Sequence, residues 1–404
     1  MVDRLHFDRD ADSVDGAPTF EVRWVSHGRY TNRKLAELFR PTIEKQVLPL
    51  LRHSPLHVSK ELVLCEALVR MYEDGARRMH PAHFDGDALV TAVFELPIAQ
   101  YSGNGFYVQP GAHPSSRIAL TAELQGAGDV IAHSFDLQHG VEVRSGRRCS
   151  VILWFTDSLT SCEDKSRPWY VAAAAKGDAD ALYNVGRALD RSGDDPKRAR
   201  ALLTQAAELG SFTAQTDLAA MLLDGRGCKD AIPQEAEAER WLTAAAEQGF
   251  YRAQDGLARL CARRGDEAAA WAWLLRAAEQ RADPEVLYRV GMAYLTGEGG
   301  AARDAAAAKG WLREAAEMGH PKAQGALGHL VYDEVELLRQ QAHAHDYQAA
   351  AEAERWLQRA SDQGELAAAR TLIPMYVTRG DLGAAGAVIA AWVSRMTRLS
   401  SKWR

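Results

Sequence analysis

Ala315-Ala-Glu-Met-Gly319 is the clearest copy of a motif that occurs four times, with two further degenerate copies, and decides the fold of the C-terminal half. The last residue of each copy stands at position 177, 210, 249, 281, 319 or 364. The copies are therefore 32 to 45 residues apart, and a bulky pair such as Trp311-Leu312 precedes each of them. Recurrence at this period predicts stacked helix pairs.

The residue types of each repeat unit suit the packing of two helices against each other. The alanines allow two helices to approach closely, the Trp-Leu pair supplies a large side chain to fill the contact, and the glycine suits a left-handed helix cap. A second helix follows, as in Glu285-Val-Leu-Tyr-Arg-Val-Gly-Met-Ala-Tyr294. A generic alanine-rich bundle is the alternative, which the regular recurrence disfavours.

These residues resemble the Sel-type, tetratricopeptide-like repeat, most closely over Leu287-Tyr-Arg-Val-Gly-Met-Ala-Tyr-Leu-Thr-Gly-Glu-Gly299. The resemblance extends over residues 168–385 and leaves 386–404 as a C-terminal helix or tail. Stacked helix pairs form concave surfaces that suit a docked protein or peptide. We therefore expect a macromolecular partner at the repeats.

Composition restricts the protein class. The 404 residues are 47% hydrophobic and 25% charged with a net charge of −6, which excludes a disordered chain and disfavours a nucleic-acid binder. Five widely spaced cysteines without a C-x-x-C pair favour a reducing compartment over a disulfide framework. No apolar stretch long enough for a membrane helix is visible. We expect a soluble, cytoplasmic protein with no nucleic-acid or membrane partner.

The first 160 residues differ in composition from the repeats. Helices are predicted at Leu35–Phe39, Ile43–Leu51 and Lys60–Tyr72. Short β-rich runs separated by Gly and Pro then predict a sandwich or jelly roll, at 88–96, 105–108, 116–122, 129–132, 141–143 and 149–155. The expected fold class is α+β with two domains. Residues 1–160 would form a double-stranded β-helix (jelly-roll core about 72–157) with flanking helices, before an all-α helical-repeat solenoid.

Two histidines and one carboxylate within this β-rich region carry the candidate chemistry. In His83-Phe84-Asp85 both ionisable side chains lie on the same side of an extended segment, because side chains alternate along a strand. His139 follows 54 residues after Asp85, at the start of a predicted strand. Two His and one carboxylate form the facial triad of non-haem Fe(II) oxygenases. The same donors also suit Zn or Mn, and His133 is an alternative to His139 as the distal ligand.

Arg148 is the candidate anchor for a cosubstrate. It lies nine residues after His139, and its planar guanidinium suits a bidentate pair with a carboxylate. Ser150 lies two residues further on, faces the same way and is expected to donate an additional hydrogen bond. Arg147 is the weaker alternative, because strand alternation directs it to the other face.

The spacing of these residues resembles that of Fe(II)- and 2-oxoglutarate-dependent dioxygenases of the prolyl 4-hydroxylase type, over residues 60–157. The matching motifs are His83-Phe-Asp85 and His139-Gly-Val, then Arg148 and Leu153-Trp-Phe155, with support from Tyr72-Glu-Asp-Gly75 and Gly126-Ala-Gly-Asp-Val130. The resemblance implies that His83, Asp85 and His139 bind iron. It further implies that Arg148, Tyr72 and Ser150 hold 2-oxoglutarate, that O₂ is consumed, and that ascorbate can serve as an additional cofactor.

The sequence departs from this family in two places. Tyr101-Ser-Gly-Asn-Gly-Phe106 replaces a Gly-Gly-Glu-Thr-type turn, and Glu142 is followed by Val143 instead of proline. Both departures concern the substrate more than the metal. The predicted function is hydroxylation of a residue, prolyl being one option, in a protein or peptide that docks on the repeats. The alternatives are hydroxylation of a free amino acid or small metabolite with the repeats used for oligomerisation, and an inactive scaffold.

Overall fold

The structure is a computed structural model of the chain. It describes residues 8–11, 18–54, 61–73, 79–96, 100–120, 129–228, 231–342 and 347–401. The chain divides into two compact units, Met1–Gly265 and Asp266–Arg404. The first unit therefore contains the β-rich part together with the first helical repeats. The predicted domain boundary near residue 160 stays a prediction.

The strands of the first unit all pair in antiparallel fashion. Their bounds are β1 (Asp8–Ala11), β2 (Pro18–Ser26), β3 (Arg29–Tyr30), β4 (Val63–Tyr72), β5 (Met79–His83), β6 (Val90–Glu95), β7 (Gln100–Ser102), β8 (Gly105–Val108), β9 (Ile118–Ala119), β10 (Val130–Ser134), β11 (His139–Glu142) and β12 (Ser145–Thr156).

Two sheets result from this pairing. The larger has the strand order β1-β2-β4-β12-β6-β10, with β3 beside β2 and β7 beside β12. The smaller has the order β5-β11-β8-β9. From β4 to β12 the chain passes repeatedly from one sheet to the other, so the candidate ligands His83 and His139 lie on neighbouring strands of the smaller sheet although they are distant in sequence.

The helix predicted at Lys60–Tyr72 is wrong, because Val63–Tyr72 forms strand β4. This strand lies between β2 and β12, and most of its residues are buried. A strand that is covered on both faces lacks the alternation of apolar and polar residues that identifies a surface strand. Its near-continuous apolar run therefore has the appearance of a helix in the sequence.

The helices of the first unit begin with a nearly continuous segment of α1 (Arg33–Thr42), a π-helical turn (Ile43–Val47) and α2 (Leu48–His53). A 3-10 turn forms at Pro114–Ser116. The remaining helices follow β12: α3 (Leu159–Asp164), α4 (Pro168–Ala174), α5 (Ala179–Ser192), α6 (Pro196–Glu208), α7 (Phe212–Leu223), α8 (Glu235–Glu247) and α9 (Tyr251–Arg263).

The second unit is helical throughout its described part. Its helices are α10 (Glu267–Glu279), α11 (Pro284–Thr296), α12 (Ala305–Glu317), α13 (Pro321–Ala342), α14 (Tyr347–Gln363), α15 (Leu366–Thr378) and α16 (Leu382–Ser401). Consecutive helices pack against each other from α4 to α9 in the first unit and from α10 to α16 in the second. The helical repeats predicted from the sequence are thus present.

Two contacts recur from repeat to repeat. In the first, a helix glycine faces a leucine of the partner helix so closely that an added Cβ would lie 2.8 to 3.0 Å from the leucine side chain. The pairs are Gly186 with Leu203, Gly256 with Leu242, Gly291 with Leu312, and Gly328 with Leu357. In the second, a buried glutamine donates to a carbonyl eight residues earlier: Gln215 to Ala207, Gln254 to Ala246 and Gln324 to Ala316.

The main core of the first unit joins the sheet to the helices. One face of β4 and β12 contributes Val69 and Val151 to an apolar cluster that also includes Leu35 from α1. Tyr170 of α4 and Ala181 of α5 belong to the same cluster. The beginning of the helical region is therefore part of the hydrophobic core that supports the larger sheet.

The prediction that the cysteines form no disulfide is wrong for one pair. Cys65 of β4 and Cys162 of α3 are bonded, with their Cα atoms 5.4 Å apart. The sequence separation of 97 hides this pairing, because only the fold brings α3 against β4. The cytoplasmic location stays a prediction. Among the described residues, no helix is both long and apolar enough to cross a bilayer.

Candidate metal centre

His83, Asp85 and His139 are brought together where β5 meets β11. His83 is the last residue of β5, and its backbone register partner is His139, the first residue of β11. One ligand atom from each of the three residues lies within 4.8 Å of the other two. The structure thus places the three predicted ligands at one point, whereas their identity as iron ligands stays a prediction.

Backbone carbonyls orient both imidazole rings. Nδ1 of His83 lies 2.9 Å from the carbonyl oxygen of Pro81, and Nδ1 of His139 lies 3.1 Å from that of Leu137. A proton on each Nδ1 leaves the Nε2 lone pair free for a metal. The Nε2 atoms of His83 and His139 face the Asp85 carboxylate at 3.4 and 3.5 Å.

The electrostatics of the site keep its donors in the states that a metal requires. Burial by itself would raise the pKa of Asp85, but at acidic pH the protonated forms of His139, His83 and His133, together with a hydrogen bond from His83, hold that pKa well below its usual range. Burial, together with the neighbouring His133, lowers the pKa of His139 well below the usual value. Asp85 is therefore ionised and His139 neutral near neutral pH, which are the ligating forms of both groups.

Thr91 is a partner of this site that the sequence did not reveal. Its hydroxyl donates a 2.6 Å hydrogen bond to Oδ2 of Asp85. Thr91 lies on β6, in the other sheet, where it pairs with His133 of β10 and Trp154 of β12. No local motif identifies such a residue, since only the pairing of β6 with its neighbours places it beside the carboxylate.

His133, the alternative distal ligand, lies beside the triad. Its side chain is 3% exposed, its Nδ1 lies 3.0 Å from the Ser134 carbonyl oxygen, and its Nε2 lies 3.7 Å from Asp85 Oδ2. That Nε2 is buried and has no hydrogen-bond partner among the described residues. The set of three mutually close ligand atoms nevertheless contains His139 and not His133. The ring of His80 lies beside that of His83, with 4.1 Å between the ring centroids and an angle of 49° between the ring planes.

Arg148, Ser150 and Tyr72 also lie together. Arg148 is 1% exposed and donates from Nη1 to Ser150 Oγ at 3.2 Å. Tyr72 is its register partner on β4, and the guanidinium carbon lies 6.0 Å from the centroid of the Tyr72 ring. Glu95, which the sequence did not reveal, accepts from Arg148 Nε at 2.7 Å. Nη2 of Arg148 is buried and without a partner in the described part of the chain.

An apolar cluster extends from the histidines to this arginine. Phe106 stacks on His139 with ring centroids 5.2 Å apart, and Phe106 and Tyr72 belong to one buried cluster with Val93. Arg147 points elsewhere, with its Nε 3.6 Å from a carboxylate oxygen of the half-exposed Glu73. Arg148 is therefore the arginine that shares an interior with the triad.

Two of the three predicted ligands, His83 and Asp85, open to a cavity of about 290 Å³. His83, Asp85 and Trp154 are among its lining residues, as is the Cys65–Cys162 pair. The buried indole Nε1 of Trp154 has no hydrogen-bond partner in the described structure. Trp154 is half-buried, and its exposed part lies at this cavity. The motif at Gly126–Gly128 lies outside the described residues.

The comparisons with known proteins concern mainly the helical part. The Sel1 repeat family model matches residues 179–211, 213–250, 253–281, 284–320 and 347–365. The C-terminal region therefore contains Sel1 repeats, as its sequence predicted. Repeats of this kind generally form protein-interaction surfaces. No curated protein matches the chain.

Three solved structures illustrate what the chain is similar to. A Sel1 repeat protein from Oxalobacter formigenes is 29% identical, with 53% of this chain and 60% of that chain covered and a TM-score of 0.45. A protective antigen of uropathogenic Escherichia coli with an SLR fold is 20% identical, with 59% and 65% covered and a TM-score of 0.31. An oxidoreductase of the 2OG-Fe(II) oxygenase family from Burkholderia pseudomallei is 18% identical, with 39% and 75% covered and a TM-score of 0.30.

This chain thus spans less than two thirds of the first two proteins. With TM-scores below 0.5, the three similarities do not determine the fold or the activity of this chain.

Proposed function

We propose that the protein is an Fe(II)- and 2-oxoglutarate-dependent dioxygenase that hydroxylates its substrate. The observation that carries the proposal is the convergence of His83, Asp85 and His139, whose ligand atoms lie within 4.8 Å of one another. Two imidazoles and a carboxylate on one side of a metal leave coordination positions open on the other side. That arrangement is typical of non-haem iron oxygenases.

The path of the chain supports a double-stranded β-helix for the β-rich part. From β4 to β6 the chain passes from the larger sheet to the smaller and back, and from β10 to β12 it does so again. Alternation between two antiparallel sheets is a feature of jelly rolls. In this fold the paired ends of β5 and β11 would hold the metal between the sheets.

Arg148 supports 2-oxoglutarate as the cosubstrate. Its Nη2 is a buried donor without a partner among the described residues, which is costly unless an acceptor binds there. The far carboxylate of 2-oxoglutarate provides such an acceptor, and Ser150 and Tyr72 lie beside it. Glu95 already neutralises part of the Arg148 charge, so we expect one edge of the guanidinium to receive the carboxylate.

The residues present fit a ferrous ion with 2-oxoglutarate. When bound, this pair supplies an oxidant that transfers one oxygen atom of O₂ to a C–H bond while 2-oxoglutarate is converted to succinate and CO₂. Asp85 and the two histidines would hold the ion, and Thr91 would fix the orientation of the carboxylate through its hydrogen bond. Phe106, Val93 and Tyr72 would exclude water between the ion and Arg148, which strengthens the charge pair.

A protein or peptide is the proposed substrate class, and the Sel1 repeats support it. Phe84, between the two ligands of the H-x-D motif, lines the cavity at the triad and two further cavities. One of these, of about 620 Å³, is also lined by Leu209 and Gln248, which follow repeat helices α6 and α8. An extended substrate could thus contact the repeats and the metal centre together. A free amino acid or small metabolite is the alternative outcome of the test.

The test uses the full chain reconstituted with Fe(II) in the absence of oxygen. We expect one bound Fe(II) per chain and, after addition of 2-oxoglutarate, O₂ and cell extract, succinate release with gain of one oxygen atom by a product in the peptide fraction. His139→Ala should lose the iron and the succinate release, whereas His53→Ala, at an exposed histidine of α2, should retain both. Equal succinate release by the wild type and His139→Ala would exclude the proposal.

A further inference from the structure

A second cavity adjoins the one at the metal centre. Its volume is about 340 Å³, and it shares Phe84, Gly86, Asp87 and Arg167 with the first. Three of these shared residues, Phe84, Gly86 and Asp87, belong to the loop that follows His83 and contains Asp85. Any molecule held in the second cavity would therefore lie next to the metal ligands.

Helix α5 of the first repeat forms the opposite wall of this cavity. Asn184, Arg187, Ala188 and Arg191 all line it, at positions i, i+3, i+4 and i+7 of the helix. Residues with this spacing lie on one helix face. Two arginines of the repeat are thus directed toward the loop that carries Asp85.

The position of α5 is fixed by the core of the first unit. Ala181 of this helix belongs to the cluster that supports the larger sheet. Phe84 contacts Tyr183 of α5 with 6.2 Å between ring centroids, and the Tyr170 hydroxyl donates to the Phe135 carbonyl oxygen at 2.9 Å. The arginine wall and the metal centre are therefore held in a defined arrangement.

The charges around the cavity leave one arginine without a carboxylate. Arg167 pairs with Asp87, and Arg187 lies 3.6 Å from Asp217. Arg191 is exposed at the edge of the cavity and makes no ion pair with any residue that the structure describes. Partial desolvation and the charge of Arg187 lower its pKa. In addition, Nε of Arg167 is buried without a hydrogen-bond partner among the described residues.

We propose that the cavity lined by Arg167, Arg187 and Arg191 binds an anionic group, a carboxylate or a phosphate, of the molecule that is presented to the metal centre. The identification of that molecule as an oxygenase substrate rests on the proposed function, whereas the anion site rests on the cavity and its unpaired donors. A guanidinium presents planar donors that match either anion. The first repeat thereby selects the substrate as well as supporting the sheet.

The experiment measures anion binding to the metal-free full chain by titration calorimetry. The probes are inorganic phosphate, as a small anion, and hexaglutamate, as an acidic peptide. We expect at least one probe to bind and Arg191→Gln to weaken that binding roughly tenfold or more, because a hydrogen bond to a charged group is lost. Arg198→Gln is the matched control, since Arg198 is an exposed arginine of the neighbouring helix α6 outside the cavity.

The outcomes separate this site from the cosubstrate site and from the proposed function. Tighter binding of hexaglutamate than of phosphate would support the site with a peptide source, and the reverse would support it with a small-molecule source. Equal affinities of wild type and Arg191→Gln, or loss of binding only in Arg148→Ala, would overturn the proposal. The calorimetry uses neither iron nor 2-oxoglutarate, so it does not depend on the proposed enzymatic activity. If the succinate assay failed, Arg191-dependent anion binding would still support this site.

Discussion

The helical repeats and the metal centre bury polar groups in opposite ways. In the repeats one solution recurs, since Gln215, Gln254 and Gln324 each donate to an alanine carbonyl eight residues earlier. In the β-rich part each contact occurs once and joins distant positions, as when Arg148 donates to Glu95, 53 residues away. The repeat contacts are local and have counterparts elsewhere, whereas the contacts at the centre do not.

This difference predicts in which region a single substitution has the larger effect on function. Stability in a repeat array is approximately a sum over units and their neighbours, so that one altered contact affects one interface. At the metal centre, three ligand atoms from two strands and a loop must coincide, and no second copy can replace any of them. The comparison therefore predicts severe loss of function at the centre and graded loss of stability in the repeats.

The largest expected effect is at Asp85. Asp85→Ala removes the anionic ligand and leaves two histidines, so we expect iron binding and 2-oxoglutarate turnover to fall below detection together while the fold is retained. Iron content, succinate release and circular dichroism measure the three quantities. Asp333→Ala, at an exposed carboxylate of repeat helix α13, should alter none of them. If folded Asp85→Ala kept the iron content of the wild type, the prediction that substitutions at the metal centre abolish function would be wrong.

Arg148→Ala should have the next largest effect, and a different one. Iron should remain, because Arg148 is not among the ligands, but affinity for 2-oxoglutarate should fall. Losing one partner of a buried charge pair costs about 2–5 kcal/mol, or roughly 30-fold to several thousand-fold in Kd. Titration calorimetry with 2-oxoglutarate measures the change. Arg147→Ala is the control, and a greater loss in that variant would place the cosubstrate on the other face of β12.

The two regions also differ in how far the sequence predicts them. The repeats were identified because the Ala-Ala-Glu motif and the following glycine recur, and recurrence reinforces each weak local signal. Strand β4 was mistaken for a helix because burial on both faces removes the alternation of a surface strand. The pairing of Cys65 with Cys162 was missed because it depends on where α3 packs.

The metal centre was only partly predictable for a similar reason. His83 and Asp85 are two residues apart in an extended segment, so their convergence follows from strand geometry. Thr91 and Glu95 carry no motif, and their contacts with Asp85 and Arg148 depend on the register between strands. The arginines of α5 carry no motif either, and the repeat pattern does not place them near the metal centre. The common core of sheet and repeat places them beside the loop that carries Asp85.

A third prediction concerns the link between β4 and α3. Cys65→Ser removes a bond that closes a sequence separation of 97 residues, so the free energy of unfolding should fall by about 2–5 kcal/mol. Urea unfolding of the full chain without reductant measures it. Adding a reductant should destabilise the wild type by a similar amount and leave Cys65→Ser unchanged. Equal stability of the wild type with and without reductant would mean that the disulfide contributes nothing to folding.

The smallest expected effect tests the repeats themselves, at two helix glycines of the second unit. A Cβ at Gly291 would lie 2.8 Å from Cγ of Leu312 and 3.2 Å from its backbone nitrogen, whereas a Cβ at Gly310 would meet no atom within 4 Å. We expect Gly291→Ala to destabilise by about 1–3 kcal/mol through overpacking. Gly310→Ala should instead stabilise by about 0.5–1 kcal/mol, because alanine loses less backbone entropy in a helix. Urea unfolding of both variants measures the difference.

If the same Gly→Ala change lowers the free energy of unfolding at position 291 and raises it at position 310, then close helix approach, and not helix propensity, accounts for the glycine at position 291. Stabilisation by both substitutions would mean that Leu312 moves aside without cost and that the repeated glycine–leucine contact is not a tight one.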